Sequence, residues 1–383
     1  MSWEKVKLGD ICESISDGDH LPPPKSVNGI PFVTISNVNS SNQFDFKNTM
    51  FVPQEYYEKL DEKRKPRIND ILYSVVGSFG IPVFIKENRP FVFQRHIAIL
   101  RPNESRIHPR YLYYKMLSKD FYMKADAVAV GAAQRTISLT SLRNMEISIP
   151  CKDSQKRIAD ILSAYDNLIE NNQKQIKLLE EAAQRLYKQW FIDLRYPGHE
   201  TTKIVDGLPE GWRKGSIGDI AEFKRGKVIT KGDVVEGNVP VVAGGLEPAY
   251  YHNASFTESP VITVSGSGAN AGFARMYFQK IWASDCSYVD SSATNFIYFT
   301  YSFLKENKKS LDSLQKGAAQ PHVYAKDINA LKLNCPPKDL LVKFEKSVKP
   351  LFDKIGKCQN VIEKSKDARD RLLPKLMSKK MEV

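Results

Sequence analysis

A chain of 383 residues with a formal net charge of +12 and a pI near 9.2 has room for two ordinary domains and asks for a polyanionic partner, nucleic acid first among them. Its apolar content of 42% describes a soluble globular protein, and no apolar run approaches the ~20 residues that span a bilayer, so no membrane partner is expected. Five scattered cysteines without a CxxC pair, and an N-terminus lacking the apolar core of a signal peptide, point to a reducing cytoplasm.

Taken in order, the elements occur twice. Trp3-Glu4-Lys5-Val6-Lys7-Leu8-Gly9-Asp10-Ile11 returns at Trp212 to Ile220, each copy predicting an aromatic anchor, a short strand and a helix begun at Gly-Asp. Gly29-Ile30-Pro31-Phe32-Val33-Thr34-Ile35 answers Asn238-Val239-Pro240-Val241-Val242-Ala243-Gly244, where Pro precedes a short apolar run suited to the start of a strand. Asn69 to Gly80 answers Ser259 to Gly268, a buried strand running into a Gly-Ser turn. Aromatic-rich helices follow at Tyr111 to Leu117 and Phe296 to Leu304. Gly131-Ala132-Ala133-Gln134 then recurs as Gly317-Ala318-Ala319-Gln320, and each copy leads through a strand into a long helix. The two Trp anchors lie 209 apart and the two Gly-Ala-Ala-Gln motifs 186 apart, so the first domain holds 23 extra residues, placed largely between Asn39 and Pro66. This is duplication of a domain and not a solenoid array.

The long helices carry apolar seams at three- and four-residue steps. In the first these are Ile158, Ile161, Tyr165, Leu168, Leu179, Ala182 and Leu186, and in the second Val348, Leu351, Ile355, Cys358, Ile362, Leu372 and Leu376. Neither seam could be left in water, so the two helices are expected to pack on each other. The predicted fold is α+β, two duplicated globular domains separated by two long antiparallel coiled-coil helices. Its expected divisions are 1–152, 153–196, 197–338 and 339–383.

A search for catalysis comes back nearly empty. There is no G-x-x-x-x-G-K-[ST] loop and no G-x-G-x-x-G fingerprint; the six His show no H-x-x-x-H, and no Asn-Pro-Pro-aromatic tetrapeptide occurs. No metal, no cofactor and no catalytic residue is assigned. Contact with DNA is the chemistry that the residues allow. In the Gly-Ser turns, Ser78, Ser267 and Asn270 can approach a phosphate or a base edge, although such glycines as often serve only a tight turn. Gln134 and Gln320 can make the two hydrogen bonds that adenine offers, or tie down their own loops. Their differing neighbours, Arg135 and His322, are the better candidates for reading different bases. Lys224, Arg225 and Lys227 form a positive loop suited to phosphate, answered in the first domain by a less basic stretch ending at Lys25. Glu58 to Arg67 mixes its signs and reads as a solvated helix face.

The order domain, helix, domain, helix resembles the specificity subunit of Type I restriction–modification enzymes. So do Gly-Ile-Pro-Phe-Val at 29–33, Gly-Ala-Ala-Gln before each long helix, Gln155-Lys156-Arg157-Ile158 and the junction from Trp190 to Glu200. The resemblance covers the whole chain, although Lys338-Asp339-Leu340-Leu341 lacks the Gln-x-x-Ile start. It implies two target recognition domains, each reading half of a bipartite double-stranded DNA site, on a chain that is not itself an enzyme. Two modification subunits would methylate adenine, and restriction subunits would cut. A rod of roughly 40 residues is about 60 Å long, enough for half-sites about 34 Å apart on adjacent duplex turns. The alternative from another class is a non-catalytic coiled-coil scaffold whose duplicated domains bind proteins.

Overall fold

The computed structural model describes residues 3–20, 23–39, 41–132, 134–317, 321–378 and 381. Two units divide the chain, one of Met1–Ile169 with Glu363–Val383, the other of Glu170–Ile362. No helix among the described residues is long and apolar enough to cross a membrane.

In the first unit, a four-stranded sheet runs in the order Cys12–Asp17, Ile97–Pro102, Ile71–Ser74, Pro82–Phe84, antiparallel throughout. A three-stranded sheet places Ile30–Val33 between antiparallel Met50–Val52 and parallel Val92–Phe93. Glu4–Lys7 pairs with Glu146–Ile149. The central strand Ile71–Ser74 is buried along its whole length, because successive side chains serve opposite faces. Ile71 and Tyr73 join Leu100 and the helices Pro109–Leu117 and Lys119–Val128, whereas Leu72 joins Ile99, Val33 and Phe93 of the second sheet.

The second unit repeats this plan strand for strand. Its four-stranded order is Lys224–Arg225, Cys286–Asp290, Val261–Ser265, Ala274–Tyr277. Val239–Val242 lies between antiparallel Tyr250–His252 and parallel Trp282–Ala283, and Arg213–Ser216 pairs with Lys332–Cys335. Duplication is thus present in strand order and direction as well as in sequence. The surplus of the first domain splits around a matched strand. Residues 34–49 precede Met50–Val52 where 243–249 precede Tyr250–His252, and 53–70 follow it where 253–260 follow the other.

Both long helices form, over Lys152–Tyr187 and Lys338–Leu376, the first running on into a π turn at Lys188–Ile192. Their antiparallel sense shows in the company that they keep. Ala183 and Tyr187 share a core with Phe344 and Val348, while Ile158 and Leu162 share another with Leu372 and Leu376.

The seam of the first helix differs from the sequence reading by one residue over part of its length. Ile158, Leu162, Ile169, Ala183 and Tyr187 are buried, whereas Leu168 is 44% exposed and Ala182 is exposed. Three- and four-residue steps from Leu162 through Tyr165 and Ile169 fall on Asn172, which is buried. A polar residue on the seam hides the phase, so an apolar count drifts to the neighbouring row. The second helix likewise places Ser365, buried, and Arg369 on its seam, and Arg369 Nη1 lies 2.8 Å from Asp166 Oδ1.

The two helix starts do the same work with different residues. Gln155 Oε1 accepts from His108 N at 2.8 Å, the residue just ahead of helix Pro109–Leu117, and its Nε2 donates to Pro150 O at 2.9 Å. In the second unit Leu341 stands where Gln155 does and is buried. One turn later Glu345 accepts from Phe299 N at 2.7 Å and from Tyr298 N at 3.4 Å, in the first turn of helix Ile297–Glu306.

Candidate nucleic-acid interface

The site grows from the exit of each central strand. After Ile71–Ser74 the chain turns through Gly77, and the hairpin from Val130 to Thr136 docks on that exit. Val130 N donates to Thr136 O at 2.9 Å, Thr136 N to Val130 O at 2.8 Å, Gly77 N to Arg135 O at 2.9 Å and Ile137 N to Val75 O at 2.9 Å. Gly131 makes the tip, with φ of +105° and an ideal Cβ that would stand 2.6 Å from Gln134 O; no other residue fits there. In the second unit Lys316 N donates to His322 O at 2.9 Å and His322 N to Lys316 O at 2.8 Å, with Gly317 at φ +102°. There Gly268 N donates to Pro321 O at 3.1 Å and Val323 N to Gly266 O at 3.0 Å.

This register corrects one sequence pairing. The partner of Arg135 is Pro321, and that of His322 is Thr136, because Val76 bridges Thr136 as Ser267 bridges His322. Gln320 lies outside the described residues, with Ala318 and Ala319 beside it.

In the first unit, Ser78, Gln134 and Arg135 come together. Ser78 and Gln134 are exposed, and a Cβ on Gly77 would be 3.7 Å from Gln134 Nε2. Arg135 is engaged inside the unit: its guanidinium donates to the Asp126 carboxylate and backbone carbonyl and to Ala129 O at 3.3 Å. It also lies 5.4 Å from the centre of the Phe79 ring, which stacks on Tyr122. Arg135 therefore ties the hairpin to helix Lys119–Val128. Lys25 is exposed but belongs elsewhere, next to Ser26, which bridges Phe51 beside the three-stranded sheet.

In the second unit, Arg225 and His322 line a cleft with Asp285 and Tyr324, and Ser267 bridges His322 beside it. His322 stacks on Tyr324 at 6.1 Å, and the Ser267 hydroxyl donates to the Asp285 carboxylate. Asn270 Nδ2 reaches Gly244 O at 3.4 Å. Lys224 and Lys227 are exposed on either side of Arg225-Gly226, and Lys227 Nζ lies 4.9 Å from the Phe256 ring centre. Beneath the cleft, burial beside Asp285 pushes the Cys286 thiol up to about 12, so it stays a protonated structural residue.

Sequence reasoning missed Asp285 and Tyr324. No motif surrounds either, and only strand pairing puts them beside Arg225. Gly226 fixes that pairing: Gly226 N donates to Cys286 O at 2.8 Å, and an added Cβ would meet Ser284 O at 2.4 Å. Gly18 does the same in the first unit, its N bonded to Ile97 O at 3.1 Å and its Cβ space closed by Phe93 O at 2.3 Å. Asp17 therefore answers Arg225, Asp19 answers Lys227, and His96 answers Asp285. The backbone is shared, while the chemistry of the cleft differs between units.

Comparison with known proteins agrees with this duplicated plan. The family model described as "Type I restriction modification DNA specificity domain" matches residues 1–181 and again 209–353. The chain is 30% identical over 301 residues to the Type I restriction enzyme MjaIX specificity subunit of Methanocaldococcus jannaschii, covering 71% of this chain and 69% of that one. It is 26% identical to the putative MjaX specificity subunit of the same organism, over 100% of this chain and 94% of the other. The crystal structure of a Type-I restriction-modification system S subunit from M. genitalium superposes with a TM-score of 0.63 at 20% identity, covering 98% and 96% of the two chains.

Proposed function

This chain belongs to the Type I restriction–modification specificity family, and from that premise we propose that its two domains read the two halves of a bipartite duplex DNA site. On this reading the chain chooses the sequence, and partner subunits supply adenine methylation and cleavage. The observation that carries it is the twofold hairpin and strand exit, held by the same backbone bonds yet lined by different side chains. Duplicated scaffold with divergent lining is what two half-sites of unlike sequence require.

Within this reading, Ser78 and Gln134 face DNA in the first domain, and Lys25, beside the three-stranded sheet, is a separate DNA contact. Lys224, Arg225 and Lys227 take phosphate in the second, and Ser267, Asn270, Gln320 and His322 lie toward the bases. The long helices space the readers, and the surfaces left outside the seam serve two modification subunits. No cofactor is assigned to this chain. Genome-wide methylation mapping with single-molecule reads, in the host strain and in one lacking this gene, tests the whole reading. A bipartite adenine-methylation motif should vanish with the gene. An unchanged methylome would reject the proposal in favour of a protein-binding scaffold.

Arg135 takes a positioning part in this scheme. Arg135→Ala and Asp126→Asn should each weaken binding to the cognate duplex by roughly 1–3 kcal/mol, since both release the hairpin. Competition binding against a scrambled duplex measures it. If Arg135→Ala alone weakens the cognate complex, the guanidinium is a base reader after all.

A further inference from the structure

The edge strand of the four-stranded sheet ends on opposite charges in the two units. Where the second carries Arg225 and Lys227, the first carries Asp17 and Asp19. Segment 53–70, far longer than its counterpart 253–260, lies along the acidic version. Ser16 Oγ donates to Lys63 O at 2.9 Å, and the Tyr56 hydroxyl donates to the buried Asp19 carboxylate. Arg64 Nη2 lies 3.6 Å from Asp17 Oδ1, so its guanidinium stands against the position that Arg225 holds in the second unit.

The two acids thus seat an inserted segment, and that segment brings its own cations. Lys65 Nζ and Arg67 Nη2 are spent on Glu62, at 2.7 and 3.0 Å. Lys59 and Lys63 are exposed and ion-paired to none of the described residues, and Arg64 is a third exposed. Shielding the edge of a sheet needs only a segment laid along it, which the bond from Ser16 Oγ to Lys63 O already secures. It does not call for two unpaired lysines beside an arginine.

We infer that segment 53–70 is the phosphate-contacting element of the first domain, with Lys59, Lys63 and Arg64 doing there what Lys224, Arg225 and Lys227 do in the second. The inference rests on the DNA reading above. It revises the appearance of Glu58 to Arg67 as a merely solvated face, because Glu62 is taken up by Lys65 and Arg67 and Arg64 is held at Asp17, while Lys59 and Lys63 stay exposed without an ion pair among the described residues.

The test uses the full chain and a random-sequence duplex, with affinity measured by fluorescence anisotropy across a salt series. Lys59→Gln/Lys63→Gln should flatten the slope of log affinity against log salt by about 1–2, as should Lys224→Gln/Arg225→Gln, with thermal midpoints unchanged. Asp17→Asn/Arg64→Gln, which removes the arginine without stranding its partner, should flatten it by about 1. If only the Lys224/Arg225 pair alters the slope, segment 53–70 is an edge cover and the inference fails while the DNA reading stands. If neither pair alters it, or the unsubstituted chain shows no salt-dependent binding, the DNA reading falls and takes the inference with it.

Discussion

Phe344→Ala is expected to cost about 3–5 kcal/mol of the stability of the second unit. The side chain is fully buried, and its ring lies 5.0 Å from Phe191, 5.7 Å from Trp190, 6.1 Å from Tyr187 and 6.2 Å from Phe299. All four contacts are edge-on, a geometry that adds to simple burial. The ring binds the start of the second long helix both to the end of the first and to helix Ile297–Glu306, so its loss opens a cavity that three elements share. Trp190 and Trp212 belong to the same core, and urea unfolding followed by tryptophan emission reads the effect directly. Phe344→Leu should cost less, about 1–2 kcal/mol, because it refills much of the volume. A loss under about 1 kcal/mol for alanine would show that the aromatic cluster repacks around the hole.

The next residue gives the second large effect, in the opposite electrostatic sense to most carboxylates. Burial pushes the Glu345 carboxyl up to about 7, against the pull of the Phe299 and Tyr298 amides. Between the ordinary glutamate value and about 7 the folded chain keeps a proton that the unfolded chain has released. Stability is therefore fully present below that window and is lost as the pH rises through it, by an amount on the order of 1–3 kcal/mol. Glu345→Gln keeps an oxygen for the Phe299 amide and removes the buried charge. It should abolish the pH dependence in this window and match or exceed the parent at mildly alkaline pH. Glu345→Ala leaves the helix amides without an acceptor and should cost about 1–3 kcal/mol at every pH. Chemical denaturation across the pH series separates the three. A parent stability that rises with pH over the window would contradict the argument.

These two neighbours also show what could be read in advance. Duplication, several of the strands and both long helices were legible, because buried strands, Gly turns and three-four periodicity are local signals. The missing Gln at Leu341 looked like broken symmetry. It is a relocation, since the clamp on the preceding helix moves one turn on to Glu345, and no linear pattern announces an acceptor that finds its donor 46 residues away. Asn172 hid the phase of the first seam for a related reason: periodicity counts apolar residues, and the seam runs through a polar one.

The candidate site was legible in part. Gly-Ala-Ala-Gln marked the hairpin because the Gly131 backbone leaves no choice of residue. The side chains around it were not legible. Arg135 looked free until Asp126 was seen to hold it, and the matching of Asp17 with Arg225 needs Gly18 and Gly226 in their strand registers. The charge swap depends on hydrogen bonds between residues far apart in sequence, where composition says only that the whole chain is basic.

The first unit is closed by the far end of the chain. Leu376 and Met377 are buried in its core, and the buried Lys115 ammonium donates to Met377 O at 3.4 Å. Synthesis therefore presents the domains out of order. The domain made first leaves the ribosome with an apolar gap that Leu376 and Met377 fill later, while Glu170–Ile362 forms an uninterrupted segment able to complete itself sooner. Loss of the segment from Glu363 to Met377 would thus strike the core of the first unit, although residues 1–169 were all intact.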